Sequence, residues 1–189
     1  MDVAVAEPRQ QRTLQEVIHL VKGDITELEV DAFVFYARHD LALGSGIGGA
    51  ISVRGGLSVQ KELSVLAPAG TGDAVLTAAG NLRARHIIHA VGPRFLEADT
   101  EGKLRTTVWN CLERAAEQGL RRVAFPLMGA GYYGIPAPVS ARVMLGAFAD
   151  HPALGGVIDE IVVCALDTPQ LEAFRSALDA TAEVGTTGS

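Results

Sequence analysis

Gly44-Ser45-Gly46-Ile47-Gly48-Gly49 follows the apolar run Ala32-Phe33-Val34-Phe35-Tyr36 and leads into a stretch of helical character, Ile47 to Arg54. A counterpart lies far along the chain. Gly129-Ala130-Gly131-Tyr132-Tyr133-Gly134 follows the apolar run Arg122 to Leu127 and is succeeded by Ile135-Pro136. Each glycine turn is placed to carry the chain from a strand into a helix. Such a turn offers backbone N–H groups, and the positive end of a helix dipole, to an anion. Two of them in one small domain point to two phosphates, and so to a diphosphate ligand.

Outward from these turns, strands and helices alternate. Leu14 to Lys22 is rich in Val and Ile and reads as a strand, as do Ala32 to Tyr36, Ala74 to Ala78, His86 to Val91, Arg122 to Leu127 and Ile158 to Ala165. Helices are predicted over Ile47 to Arg54, Ser58 to Leu66, Leu104 to Gln118, Pro138 to Asp150, and from Thr168, as cap, to Ala180. Gly119 fits a C-terminal cap, and Pro138 and Pro169 fit first-turn positions. Strands separated by helices imply an α/β fold, a mostly parallel sheet covered on both faces. Ligands bind such sheets at the carboxyl ends of the strands, where both turns fall.

The chain of 189 residues is long enough for one domain with a real core. Residues 1–12 are expected to be a loose N-terminal segment, 13–182 a single domain, and 183–189 a disordered tail. A net charge of −6 argues against nucleic acid as a partner, because that requires a basic stripe. No apolar run is long enough for a membrane span, and the first residues do not form a secretory signal, so a cytoplasmic protein is expected. Cys111 and Cys164 read as buried free thiols, and no cluster has metal-ligand spacing. Neither metal nor cofactor is expected, and a monomer is the default.

Several side chains near the turns bear on chemistry. Gly44, Gly46 and Gly49 formally match Gly-x-Gly-x-x-Gly, but Arg38 to Leu43 intervene after the strand and no acid closes a following strand, which disfavours a dinucleotide dehydrogenase. Asp24, in Gly23-Asp24-Ile25-Thr26, is acceptor-only when ionised and suits an exocyclic amine such as that of adenine; alternatively it caps a turn. Tyr132 and Tyr133 could pack on a ribose or base, or on the sheet edge. His89 reads as a hydrogen-bonded core residue.

Taken together, five segments resemble the macro domain, an ADP-ribose-binding module. They are Gly23-Asp24-Ile25-Thr26 with Val30-Asp31-Ala32; Gly44 to Ile51; Gly72-Asp73-Ala74-Val75-Leu76-Thr77; Ile87-Ile88-His89-Ala90-Val91-Gly92-Pro93; and Phe125-Pro126 through Tyr133-Gly134-Ile135-Pro136. Their order and spacing carry the likeness across residues 14–180. The resemblance implies a three-layer α/β/α sandwich with a mixed, mostly parallel central sheet. It places adenine at Asp24 and Ile25. The turn of Gly44, Ser45, Gly46, Ile47 and Gly48 would line the distal ribose and a phosphate. The turn of Gly129, Ala130, Gly131, Tyr132 and Tyr133 would wrap the diphosphate, with Tyr133 near the distal ribose.

The chain departs from hydrolytic members of that family where their chemistry resides. Their Asn-Ala-Ala-Asn run is Phe35-Tyr36-Ala37-Arg38 here, their glycine-turn aspartate is Gly48, and the serine common at the second turn is Gly129. Glycine cannot act as a base. The expectation is therefore a module that binds ADP-ribose, or an ADP-ribosylated macromolecule, without the usual hydrolysis. The alternative is a hydrolase of ADP-ribosyl or acyl-ADP-ribose bonds using substitutes among Arg38, His39 and Asp40, with His39 as base and Asp40 as its orienter. A third reading, a binder of another nucleotide or RNA, is weakened by the acidic balance.

Overall fold

The computed structural model describes residues 12–186, so the segment expected to be loose lies almost wholly outside the described residues. The strands are β1 (Ile18–Lys22), β2 (Ala32–Tyr36), β3 (Ala74–Ala78), β4 (His86–Ala90), β5 (Arg122–Phe125) and β6 (Glu160–Ala165). The helices are α1 (Leu14–Val17), α2 (Ile47–Gly55), α3 (Leu57–Leu66), α4 (Thr100–Glu117), α5 (Ala137–Asp150) and α6 (Thr168–Thr186). All six strands form one sheet in the order β1-β6-β5-β2-β4-β3. Every pairing is parallel except β3 with β4 at one edge. The result is the expected α/β/α sandwich with a mixed, mostly parallel sheet.

Strand residues alternate between two cores, as the period of two requires. Ala32 and Val34 of β2 join the core against α4, α5 and α6, while Phe33 joins the one against α2 and α3. Both faces are thus buried, which explains why β2 reads as a continuous apolar run. Helix α4 buries Leu104, Val108, Cys111, Leu112 and Ala115 on one stripe. It stops in a Schellman turn: Gly119, at φ +65°, donates to Ala116 O and Leu120 donates to Ala115 O.

Local chemistry moves several boundaries. Residues 14–17, expected as strand, form a helical turn because Thr13 and Glu16 make half of a capping box, Thr13 N donating to Glu16 Oε2 at 2.6 Å. Helix α4 begins four residues before the predicted Leu104, at Thr100. Thr168 lies inside α6 instead of capping it; Asp167 takes that role, its Oδ1 accepting Gln170 N at 2.8 Å. The same helix runs past Ala180 to Thr186, so the tail expected from Glu183 starts as helix, and residues 187–189 lie outside the described residues.

One arrangement positions the candidate site. β2 and β5 are neighbours, yet from β2 the chain crosses through α2 and α3 toward β3 and β4, while from β5 it crosses through α5 to β6. The sheet order therefore diverges between them, and a crevice opens at their carboxyl ends.

Candidate functional site

The two glycine turns follow the carboxyl ends of these neighbouring strands, one after β2 and one after β5. In the first, Gly44 and Gly46 have φ of +66° and +62°, a region that favours glycine. Gly46 is also the N-cap of α2 and provides no side-chain cap. The first-turn N–H groups of α2 lack intrahelical acceptors, and no acidic residue stands in that turn to offset the dipole. This is an uncapped, positively polarised helix start. Gly48 lies within it, and a Cβ there would sit 1.6 Å from Leu43 O and 3.1 Å from the Phe35 ring.

The second turn differs from expectation. It closes on itself, with Gly134 N donating to Gly131 O at 3.0 Å and Ile135 N to Gly129 O at 2.9 Å. Helix α5 begins only at Ala137, so this turn does not itself form a helix start. It is anchored from below: buried Ser140 of α5 donates to Met128 O at 2.8 Å, fixing the residue before Gly129.

Tyr36, at the end of β2, joins the surrounding loops. Its hydroxyl donates to Pro93 O at 2.5 Å, and its ring packs on Tyr133 at 4.7 Å between centroids. A Cβ at Gly92 would fall 2.2 Å from that hydroxyl, and one at Gly129 3.2 Å from it. Burial pushes the Tyr36 phenol far up, so it stays a donor. Sequence reasoning did not single out Tyr36 as an organiser of the site. The signal was the pairing of a bulky residue with two distant glycines, which only the fold brings together.

Tyr133 is half-buried against Tyr36. Its hydroxyl donates to Ala37 O at 3.4 Å, and the Arg94 guanidinium lies 6.0 Å from its ring centre. Burial raises its phenol, with Arg94 and Arg38 pulling the other way, so two cations flank this end of the crevice. Tyr132 does not pack on the sheet edge; it is 90% exposed, with its ring edge-on to Tyr133.

Arg38, His39 and Asp40 are all exposed, and they do not assemble as a base with its orienter. Asp40 is engaged by Arg38 through two hydrogen bonds of 3.1 and 2.7 Å, and also accepts Ala42 N. The backbone bond from Ala42, helped by the bond from Arg38, holds its carboxyl below the usual range against the opposing effect of desolvation. His39 instead donates from Nδ1 to Ala69 O at 3.0 Å, which leaves Nε2 as the ring's acceptor.

At the other end, Asp24 caps the 3-10 turn Ile25–Glu27. Its Oδ1 accepts Thr26 N at 2.9 Å and Thr26 Oγ1 at 2.7 Å. Its Oδ2 accepts Arg54 Nη1, from the last turn of α2, at 2.6 Å. Partial burial would raise this carboxyl, but the bonds from Thr26 and Arg54 outweigh it and hold it low. Both readings of Asp24 thus remain compatible, since it is a cap and still partly exposed. The Ile25 side chain, by contrast, is buried in the α2–α3 core. Arg54 was not recognised in the sequence, because no motif or spacing marks it and only helix α2 brings it to Asp24.

His89 lies fully buried, with Nε2 2.9 Å from Thr77 Oγ1 and its ring edge-on to Phe35. Cys111 and Cys164 are buried and free. Among the described residues no group of His, Cys, Asp and Glu could hold a metal, and no helix is long and apolar enough to cross a membrane. A wide apolar groove between α5 and α6, lined by Val139, Leu145, Pro169 and Ala177, contains none of the candidate ligand-binding or catalytic residues.

A family profile described as Macro domain matches residues 37–144. A macro domain-containing protein of Caldanaerobacter subterraneus subsp. tengcongensis is 34% identical over 172 residues, covering 88% of this chain and 98% of that protein. A macrodomain of Trypanosoma brucei, solved in complex with ADP-ribose, superposes with a TM-score of 0.77 at 26% identity, covering 90% of this chain and 78% of the other. A point mutant of the Oceanobacillus iheyensis macrodomain, solved with ADPR, reaches a TM-score of 0.83 at 24% identity, covering 92% and 97%, a likeness of fold.

Proposed function

This chain belongs to the macro domain family, and from that premise we propose that it binds ADP-ribose or a close derivative as a reader module. The observation that carries the proposal is the uncapped start of α2 at Gly46, on the turn after β2, with the second glycine turn after its neighbour β5. The diphosphate lies over these two turns, held by backbone N–H groups that need no particular side chain. The adenine end reaches Asp24, and the distal ribose lies near Tyr133, between Arg38 and Arg94. The ADP-ribose complexes of the solved macrodomains support this reading.

Calorimetry with ADP-ribose tests it. Micromolar affinity is expected, about −8 kcal/mol. Absence of both heat and thermal shift at millimolar ligand overturns it. Asp24→Ala is expected to weaken ADP-ribose more than ribose 5-phosphate, and equal losses would remove the adenine role.

One observation favours a second reading, a hydrolase of ADP-ribosylated protein. The Nδ1 bond to Ala69 O orients His39 and leaves Nε2 able to take a proton from water. Release of ADP-ribose from a modified protein, abolished by His39→Ala, would establish that reading over simple binding.

A further inference from the structure

We infer that Arg54 is a specificity-determining residue, and that with Asp24 it makes the base end accept 6-oxopurine as well as adenine nucleoside diphosphates. The inference rests on the proposed placement of the base at Asp24.

An ionised carboxylate has about four acceptor positions. Thr26 fills two on Oδ1 with its N–H and hydroxyl, and Arg54 Nη1 fills one on Oδ2. One position on Oδ2 is left for a ligand. The contacts of Arg54 with this cluster all run through Nη1: 2.6 Å to Asp24 Oδ2, 2.7 Å to Thr26 Oγ1 and 3.5 Å to Glu27 Oε1. Its Nη2 and Nε donors are not used in that cluster. Both side chains are partly open to solvent, Arg54 at 45% and Asp24 at 30%. The exposed edge is therefore one acceptor beside guanidinium donors.

That edge is complementary to two kinds of purine. Adenine presents an N6 amine donor and an N1 acceptor, which match Asp24 Oδ2 and Arg54 respectively. A 6-oxopurine presents an O6 acceptor and an N1–H donor, which match the same two groups with the roles of the ring positions exchanged. Each base makes two hydrogen bonds. Without Arg54, adenine keeps its N6 bond to Asp24 and leaves only the ring N1 unpaired, whereas a 6-oxopurine keeps its N1–H bond to Asp24 but leaves the more strongly hydrated O6 carbonyl unpaired beside the carboxylate. Arg54 thus removes the discrimination that an isolated aspartate would impose. Helix α2 links the two ends of the ligand, with the phosphate-facing turn at its start and Arg54 in its last turn.

Calorimetry on the full chain with ADP, IDP and ADP-ribose tests the inference, using the wild type, Arg54→Met and Arg54→Lys. In the wild type, IDP is expected to bind within about fivefold of ADP. Arg54→Met keeps most of the stem but no donor, and is expected to widen the IDP-to-ADP ratio of Kd by about tenfold. Arg54→Lys is expected to fall between the two. A ratio is read because a merely structural loss would weaken both nucleotides alike. Wild-type discrimination beyond about fiftyfold against IDP, or a ratio unchanged in Arg54→Met, overturns the inference while ADP-ribose binding stands. If Arg54→Met does not fold, the wild-type and Arg54→Lys ratios still decide. No binding of any of the three ligands overturns the proposed function together with this inference.

Discussion

Gly48 shows why an absent side chain can be a structural fact as well as a chemical one. Hydrolytic relatives are expected to carry an aspartate there, and an acid in the first turn of a helix normally gains up to about 1 kcal/mol from the dipole. Here a Cβ would lie 1.6 Å from the Leu43 carbonyl oxygen, so the loop has closed into the space. The steric term wins. Gly48→Asp is expected to lower stability by about 3 kcal/mol and to confer no release of ADP-ribose; chemical denaturation and a turnover assay check both. The identities of such residues were legible in the sequence, since the resemblance to the macro domain singled out Gly48 and Arg38, and the second glycine turn singled out Tyr133. Their partners were not. Arg38 to Asp40, His39 to Ala69 and Arg54 to Asp24 depend on side-chain directions that no sequence period encodes. Arg54 was missed for the same reason: a basic residue near a helix C-terminus is ordinarily only a favourable dipole contact.

Among the elements, β2 is held in place from its far end. Asp31, just before it, accepts Arg121 N and Arg122 N through Oδ2, both at 2.9 Å, and so ties the start of β2 to the start of β5. Partial burial opposes ionisation of Asp31, but these backbone bonds, with Arg85, keep its carboxyl low. Removing it leaves two N–H groups without that acceptor. Asp31→Ala is expected to cost about 2 kcal/mol, measured by urea denaturation. The resulting shift in the β2–β5 register would also weaken nucleotide binding at the opposite end. Elements were legible where one signal dominated. The continuous apolar run of β2 gave both of its ends, and the glycine after α4 gave that helix's C-terminal end to within one residue. They were illegible where signals competed. Residues 14–17 have strand-like composition, but the Thr13–Glu16 interaction starts a helical turn, and Asp167 takes the cap from its neighbour Thr168.

For the whole molecule, stability should depend on a buried histidine that has no part in the proposed binding. Burial pushes His89 down to about 4 from 6.5, because charging it inside the α2–α3 side of the sheet is unfavourable. Its folded value is depressed, so the unfolded chain binds more protons between those limits. The stability associated with the neutral ring is complete above the unfolded value and is lost as pH falls from about 6.5 toward 4. Between pH 7 and pH 5 this group is expected to remove about 2 kcal/mol. His89→Gln should flatten that part of the profile, as denaturation midpoints at the two pH values would reveal. The parallel pairing of β1 with β6 has a different consequence, one of timing. Ile18 aligns with Ile161, so the first strand to leave the ribosome must wait for the last. At about 5–20 residues per second, that interval is roughly 7–30 s, during which β1 stays unpaired, joined, once β5 has emerged, by the β5 edge that β6 will cover. Nascent chains are thus expected to be most vulnerable to chaperone capture and misassembly late in synthesis, until β6 closes the sheet.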